Sequence, residues 1–186
     1  MRAESEPGFL GEHVLETGRL RLRRLESGDA PFILRLVNDP DWLRYIGDRG
    51  VRTAADAEHY IAHGPVAMYA RYGFGLLAVE RKDEPGPIGI CGLLKRETLQ
   101  DVDIGFAFLP EHRGRGYAFE AAEETIAWAR DVLRLPRVIA ITAPDNIRSR
   151  ALLEKIGLRY ERTMVLHPGA ETAVFGVTWR DGAESA

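Results

Sequence analysis

The run Arg113-Gly114-Arg115-Gly116-Tyr117-Ala118 carries the most legible chemistry in the chain. Two glycines ahead of a helix let the backbone approach a ligand and leave unpaired N–H groups pointing at it, which makes an anion site. Arg113 and Arg115 add positive charge, so a pyrophosphate is the expected occupant. The same Gly-x-Gly turn also occurs as plain structure. Two better-known phosphate loops are excluded by their residues. A Walker loop needs four residues between its glycines and then Lys with Ser or Thr, which this run lacks. A dinucleotide fingerprint needs a third glycine where Phe119 stands, and a βαβ strand upstream.

The elements that position this loop follow from periodicity. Phe74 to Val79, Ile88 to Leu94 and Val102 to Leu109 are short apolar runs separated by turn residues, and they predict a three-stranded antiparallel meander. Pro110 closes the third strand. From Gly116 onward Tyr117, Ala121, Ile126, Ala129, Val132 and Leu133 line one face of a long helix. Val138 to Thr142 reads as a buried strand, Asp145 or Asn146 as a helix cap, and Gly157 as a helix stop. Tyr160 to Leu166 and Thr172 to Trp179 form a closing hairpin. Upstream, Leu20, Leu22 and Leu25 among arginines give a first strand. Phe32, Ile33, Leu36 and Val37 give a helix ended by Asn38-Asp39-Pro40, and Thr53 with Asp56 caps a second helix reaching about His63. The segment between, with Trp42 and Tyr45, reads as irregular.

The 186 residues are 45% hydrophobic and 28% charged, which fits one soluble domain over 1–186 and argues against a disordered or fibrous chain. Flexible tails are expected at about 1–12 and 181–186. A net charge of −3 gives no global attraction to nucleic acid, so no nucleic-acid partner is expected. Neither a signal peptide nor a membrane span is legible, which makes the cytoplasm the expected location with no membrane partner. The single Cys91 cannot form an internal disulfide and reads as a small core residue. His59 and His63 stand at metal-ligand spacing without a convincing third ligand, so no metal is expected.

Arg113, Gly116 and Ala118 meet the acyl-coenzyme A motif Gln/Arg-x-x-Gly-x-Gly/Ala, and by this the chain resembles the GNAT superfamily of acetyltransferases. Ile104-Gly105-Phe106 with Pro110 to Ala118, and Asn146-x-x-Ser149 followed by Leu153 to Leu158, look like the subfamily of Rim-type ribosomal-protein N-terminal acetyltransferases. The resemblance implies a mixed α/β (α+β) fold: a mostly antiparallel sheet of about seven strands flanked by helices, with the fourth and fifth strands, 102–109 and 138–142, splayed into a cleft. It implies acetyl-coenzyme A as donor. Its pantetheine would pair with backbone of Phe108 and Leu109, its diphosphate would rest on amides from Arg113 through Gly114, Arg115, Gly116 and Tyr117 to Ala118, and Asn146 would bond the pantetheine arm.

The implied reaction is direct attack of a neutral amine on the thioester, which needs a proton acceptor and oxyanion stabilisation. An α-amine, with a pKa of about 7.7 to 8.0, needs less help than a lysine near 10.4. Two carboxylates are candidate bases. Glu161 matches a glutamate proposed as base in Rim-type enzymes and is preferred; Asp103 stands where relatives often carry glutamate. Either one also reads as an ordinary solvated strand carboxylate. Many members place a thiolate-protonating tyrosine where this chain has Leu153, which leaves Ser149 as the candidate donor. A thiol with a pKa near 8.5 also leaves without one. Trp42, Tyr45 and Arg49 are candidate lining for the acceptor pocket. The reading is an N-acetyltransferase acting on a protein, peptide or small-molecule amine, as monomer or homodimer. Its rival is a noncatalytic acyl-coenzyme A sensor.

Overall fold

Side chains alternate across the central strands and divide them between two cores, in a computed structural model that describes residues 13–167 and 169–179. The expected flexible ends, 1–12 and 181–186, lie outside the described residues. β1 (His13–Glu16) pairs with β2 (Leu20–Arg24), whose Leu20 and Leu22 are fully buried between arginines. β3 (Leu76–Arg81), β4 (Pro87–Leu94) and β5 (Asp103–Phe108) form the predicted antiparallel meander. With β6 (Arg137–Thr142), β7 (Arg159–His167) and β8 (Ala170–Thr178) they make one sheet of eight strands, ordered β1-β2-β3-β4-β5-β6-β8-β7. The extra strand is β1, four residues long and too short for periodicity to declare.

Every neighbouring pair is antiparallel except β5 and β6. These are the strands expected to splay. They share a single registered pair, Asp103 with Ile139, beside which the Ile139 amide donates to the Val102 carbonyl at 3.0 Å. From there toward their C-terminal ends the two strands have no ladder between them, and a cleft opens.

On one face of the sheet, Leu77, Val79, Cys91, Leu93 and Ile104 pack beneath α5 (Tyr117–Asp131) and α6 (Ile147–Lys155). On the other, Leu76, Ala78 and Ile90 pack beneath α1 (Ala30–Val37) and α3 (Ala54–Ile61) through Ile33, Leu36, Ala57 and Ile61. Each fully buried leucine or isoleucine contributes roughly 1.5–3 kcal/mol, so both layers hold the cleft walls firmly.

Two helical boundaries differ from expectation. The segment with Trp42 and Tyr45 is a helix, α2 (Pro40–Tyr45), because the Asp39 side chain accepts from the amides of Asp41 at 3.1 Å and Trp42 at 3.4 Å, with Pro40 in the first turn. Asn38-Asp39-Pro40 thus ends one helix and starts the next. The helix expected to stop near His63 continues through a π-helical stretch, Ala62–Val66, into α4 (Ala67–Tyr72). Pro65 has no N–H for a regular turn, and the wider π geometry accommodates it.

Candidate functional site

The cleft between β5 and β6 encloses about 1630 Å³ and collects residues from nearly every element around it. At its far end the chain leaves β5 and turns through Gly114 (φ 72°) and Gly116 (φ 81°) into the first turn of α5. Both dihedrals lie where a Cβ is strained, and no atom would oppose a Cβ at Gly114, so backbone conformation is what requires the first glycine. Gly116 is the N-cap, and the α5 amides that follow have no partner within the helix. Tyr117 and Ala118 line the cleft with Gly114 and Gly116, while the Tyr117 ring is buried beneath Arg19.

The two loop arginines have different placements. Arg113 does not offer its charge to a ligand: Nη2 meets Asp39 at 2.6 Å, Nη1 meets Asp41 at 2.8 Å, and Nε donates to the Phe108 carbonyl at 2.8 Å. Arg113 was expected to add charge for a phosphate; here its guanidinium is a brace that ties the loop to α2 and the end of β5. A second brace comes from Arg19, which donates to the Arg115 carbonyl at 3.1 Å while Glu120 holds its Nε at 2.7 Å. The Arg115 side chain is exposed with no partner among the described residues but is not among those lining the cleft, whereas Arg148 on α6 is exposed, lines the cleft and also has no partner among them. Arg148 was not legible as a candidate, since a lone arginine in a helix is ordinary.

Along β5 the polar backbone alternates between β4 and the cleft. The Leu109 amide donates to Ile88 at 3.0 Å and its carbonyl accepts from His112 at 3.0 Å, so neither is open to a ligand. Since Val102 points its carbonyl at β6, period two turns the backbone of Ile104, Phe106 and Phe108 the same way. Leu109 of the expected pair therefore has no open backbone group, while the backbone of Phe106 and the amide of Phe108 face the cleft, the Phe108 carbonyl being taken by Arg113. Across the cleft, Asn146 caps α6 by accepting the Ser149 amide at 3.2 Å, which leaves its side-chain NH₂ directed away from the helix with no partner among the described residues. Ser149 and the buried Leu153 line the cleft beside it, and the Ser149 hydroxyl has no partner among the described residues.

The candidate bases are separated by the splay. Asp103 begins β5, is 1% exposed and lines the cleft. Burial pushes its carboxyl up to about 6, against the pull of Arg96, whose Nε lies 3.1 Å from both oxygens. Glu161 is not among the lining residues: it sits on β7, where Arg137 at 2.6 Å holds its carboxylate. Arg137 precedes by two residues the Ile139 that pairs with Asp103, so Glu161 lies beyond the joined end of the strands, away from the opening. Of the two candidate bases, Asp103 lines the cleft and Glu161 does not.

Trp42, Tyr45 and Arg49 all reach the cleft from the α2 side. Trp42 is mainly a packing residue, 5% exposed, with its indole N–H on the Gly47 carbonyl at 3.1 Å. Tyr60, Met68 and Arg96 join them without having been singled out, because their elements converge only in the fold. His59 and His63 stack on one helix face at 3.8 Å. Cys91 is fully buried, its thiol pushed up to about 12 by burial. Among the described residues no helix is long and apolar enough to cross a membrane.

A family model for the acetyltransferase (GNAT) domain matches residues 19–159. The N-acetyltransferase YjdG of Bacillus subtilis, itself uncharacterized, is 31% identical over 153 residues, covering 77% of this chain and 88% of the relative. An acetyltransferase structure from Agrobacterium tumefaciens superposes with a TM-score of 0.77 at 25% identity, covering 95% of this chain and all of that one. The ribosomal L7/L12 alpha-N-protein acetyltransferase RimL has the same fold, with a TM-score of 0.76 at 14% identity over 90% and 94% of the two chains.

Proposed function

Because the chain belongs to the GNAT acetyltransferase family, we propose that it moves the acetyl group of acetyl-coenzyme A directly to a primary amine, with Asp103 as the proton acceptor. The carrying observation is that β5 has a glycine-shaped helix start beyond one end and a buried carboxylate at the other, both opening into one cleft. The donor's diphosphate belongs at the α5 amides with Arg115 beside it, and its arm along the cleft-facing backbone of Phe106, the amide of Phe108 and the NH₂ of Asn146.

Asp103 is suited to its role by its pKa. At about 6 it is ionised at neutral pH, yet closer to an α-amine's 7.7 to 8.0 than an ordinary aspartate is, which eases proton transfer. It also lies on the face covered by α1 and α3, the side from which Tyr45, Arg49 and Tyr60 reach the cleft. This supports an acceptor bound on this side, and the α-amine of a peptide or a small-molecule amine is the class that asks least of such a base. The Ser149 hydroxyl is the available donor for the departing sulfur. We read the protein as cytoplasmic and as a monomer or a homodimer.

The test is thioester consumption with a panel of peptide and small-molecule amines, read together with intact mass of the products. A mass gain of one acetyl on an amine supports the proposal. A folded protein that binds acetyl-coenzyme A yet consumes none with any amine would instead be an acyl-coenzyme A sensor.

A further inference from the structure

Ion pairing leaves an imbalance of charge on the acceptor side of the cleft. Arg44 is paired with Asp145 at 3.0 Å, and Arg113 with Asp39 and Asp41. Arg96 gives only its Nε to Asp103, so neither of its Nη groups has an acceptor among the described residues. Arg49 is exposed in the cleft with no hydrogen bond or ion pair among the described residues. The Tyr60 hydroxyl likewise has no partner among them, and both guanidiniums lie close enough to act on it: burial pushes this phenol up while the charges of Arg49 and Arg96 pull it down. The three side chains come from the α2–α3 connection, α3 and the β4–β5 connection and meet only in the fold.

We propose, resting on the acetyltransferase reading above, that Arg49, Arg96 and Tyr60 form a subsite for a carboxylate carried by the acceptor within a few bonds of its reacting amine. Two guanidiniums bring donors and no acceptors, and they repel each other unless an anion lies between them. A planar carboxylate matches the guanidinium fork, and the phenol adds a third donor. The short spacing follows from Arg96 itself, since one guanidinium touches the base through Nε and faces the subsite through Nη. The nearby cations also favour the neutral amine that attack requires.

Matched acceptors test this: glycine with glycinamide, β-alanine with β-alaninamide, and hexapeptides beginning with Asp or Asn. The acid form of at least one pair should have the higher kcat/KM, although the amide of an amino acid has the less basic amine. Arg49→Gln should lower that acid-to-amide ratio about 10-fold, chiefly through KM, and Arg49→Lys should restore part of it. Arg49 is the position to change because Arg96 also supports Asp103. A ratio equal in wild type and Arg49→Gln overturns the subsite. Preference confined to the free amino acids identifies a small-molecule acceptor, and preference confined to the peptides identifies an acidic N-terminal residue. Calorimetry with N-acetylglycine and N-acetylglycinamide in the presence of coenzyme A reads the subsite without turnover. Tighter binding of the acid, lost about 10-fold in Arg49→Gln, supports it; equal binding of the two by wild type overturns it. Absence of thioester consumption with every amine counts against the acetyltransferase reading and leaves the subsite to be decided by calorimetry.

Discussion

Replacing Asp103 with Asn should abolish most activity and, above about pH 6, stabilise the fold. The carboxyl is 1% exposed and its folded-state pKa is about 6, against an ordinary value of 3.8, because burial outweighs the attraction of Arg96. A carboxyl with a raised folded pKa binds its proton more tightly in the native state, so stability falls as pH rises from about 4 to about 6 and stays lowered above that. The gap of about two pH units, at about 1.4 kcal/mol each, sets the cost near 3 kcal/mol, an order-of-magnitude figure. Asn at this position carries no such dependence. The stability difference between variant and wild type should therefore move in the variant's favour by about 3 kcal/mol between pH 4 and pH 7.5, or roughly 6–12 °C in Tm for a chain of this size. Any constant offset from the new amide cancels in that comparison. Thermal unfolding of both proteins across this range is the assay. A difference that does not change with pH refutes the argument that the buried carboxylate is held ionised at a cost.

The same titration should appear as an acid limb near pH 6 in kcat/KM of the wild type, with Asp103→Asn losing on the order of 10²- to 10⁴-fold; a Glu161→Gln variant that alone loses the limb would return the base to β7. Arg113→Gln should cost about 2–4 kcal/mol of stability, since it leaves the buried Asp39 unpaired, and should weaken coenzyme A and a phosphate-free pantetheine analogue alike. Arg115→Gln should weaken coenzyme A more than the analogue, and equal effects in calorimetry would remove Arg115 from phosphate recognition. Gly116→Asp combines a strained φ of 81° with a negative charge at the α5 start, so acetyl-coenzyme A affinity should fall at least 100-fold; wild-type affinity in the folded variant would refute the anion site.

What the sequence made legible was local. The meander, the Gly-x-Gly start of α5 and the Asn146 cap are each written in a few adjacent residues, and the structure has them within one or two positions. Their backbone roles are less so: the family resemblance makes Leu109 an open strand group, yet its partners Ile88 and His112 are set by strand pairing and the following turn. The partners of Arg113 lie on α2, a helix concealed because Asn38-Asp39-Pro40 reads first as a stop. Choosing between Asp103 and Glu161 required the strand order β5-β6-β8-β7 and the register of Arg137, neither of which a one-dimensional pattern contains. Arg49, Tyr60 and Arg96 share no spacing rule, so their convergence had no signal in the sequence beyond the aromatic and basic character around Tyr45.

The sheet is two antiparallel ribbons, β1 to β5 and β6 with β8 and β7, stitched by one rung at Asp103 and Ile139. Backbone cross-linking is thus at its thinnest here, and what otherwise joins the ribbons is side-chain packing, with Cys91 and Ile104 of one in the same core cluster as Val138, Ala140 and Phe175 of the other. Amide exchange should therefore be fastest, within the central strands, along the inner borders of β5 and β6. A ligand bridging those borders supplies the rungs the chain omits, so occupancy should slow exchange on both sides at once and couple the melting of the two ribbons. The donor would then be part of the scaffold while it is bound, and each turnover would end with the molecule returning to its looser, two-ribbon form.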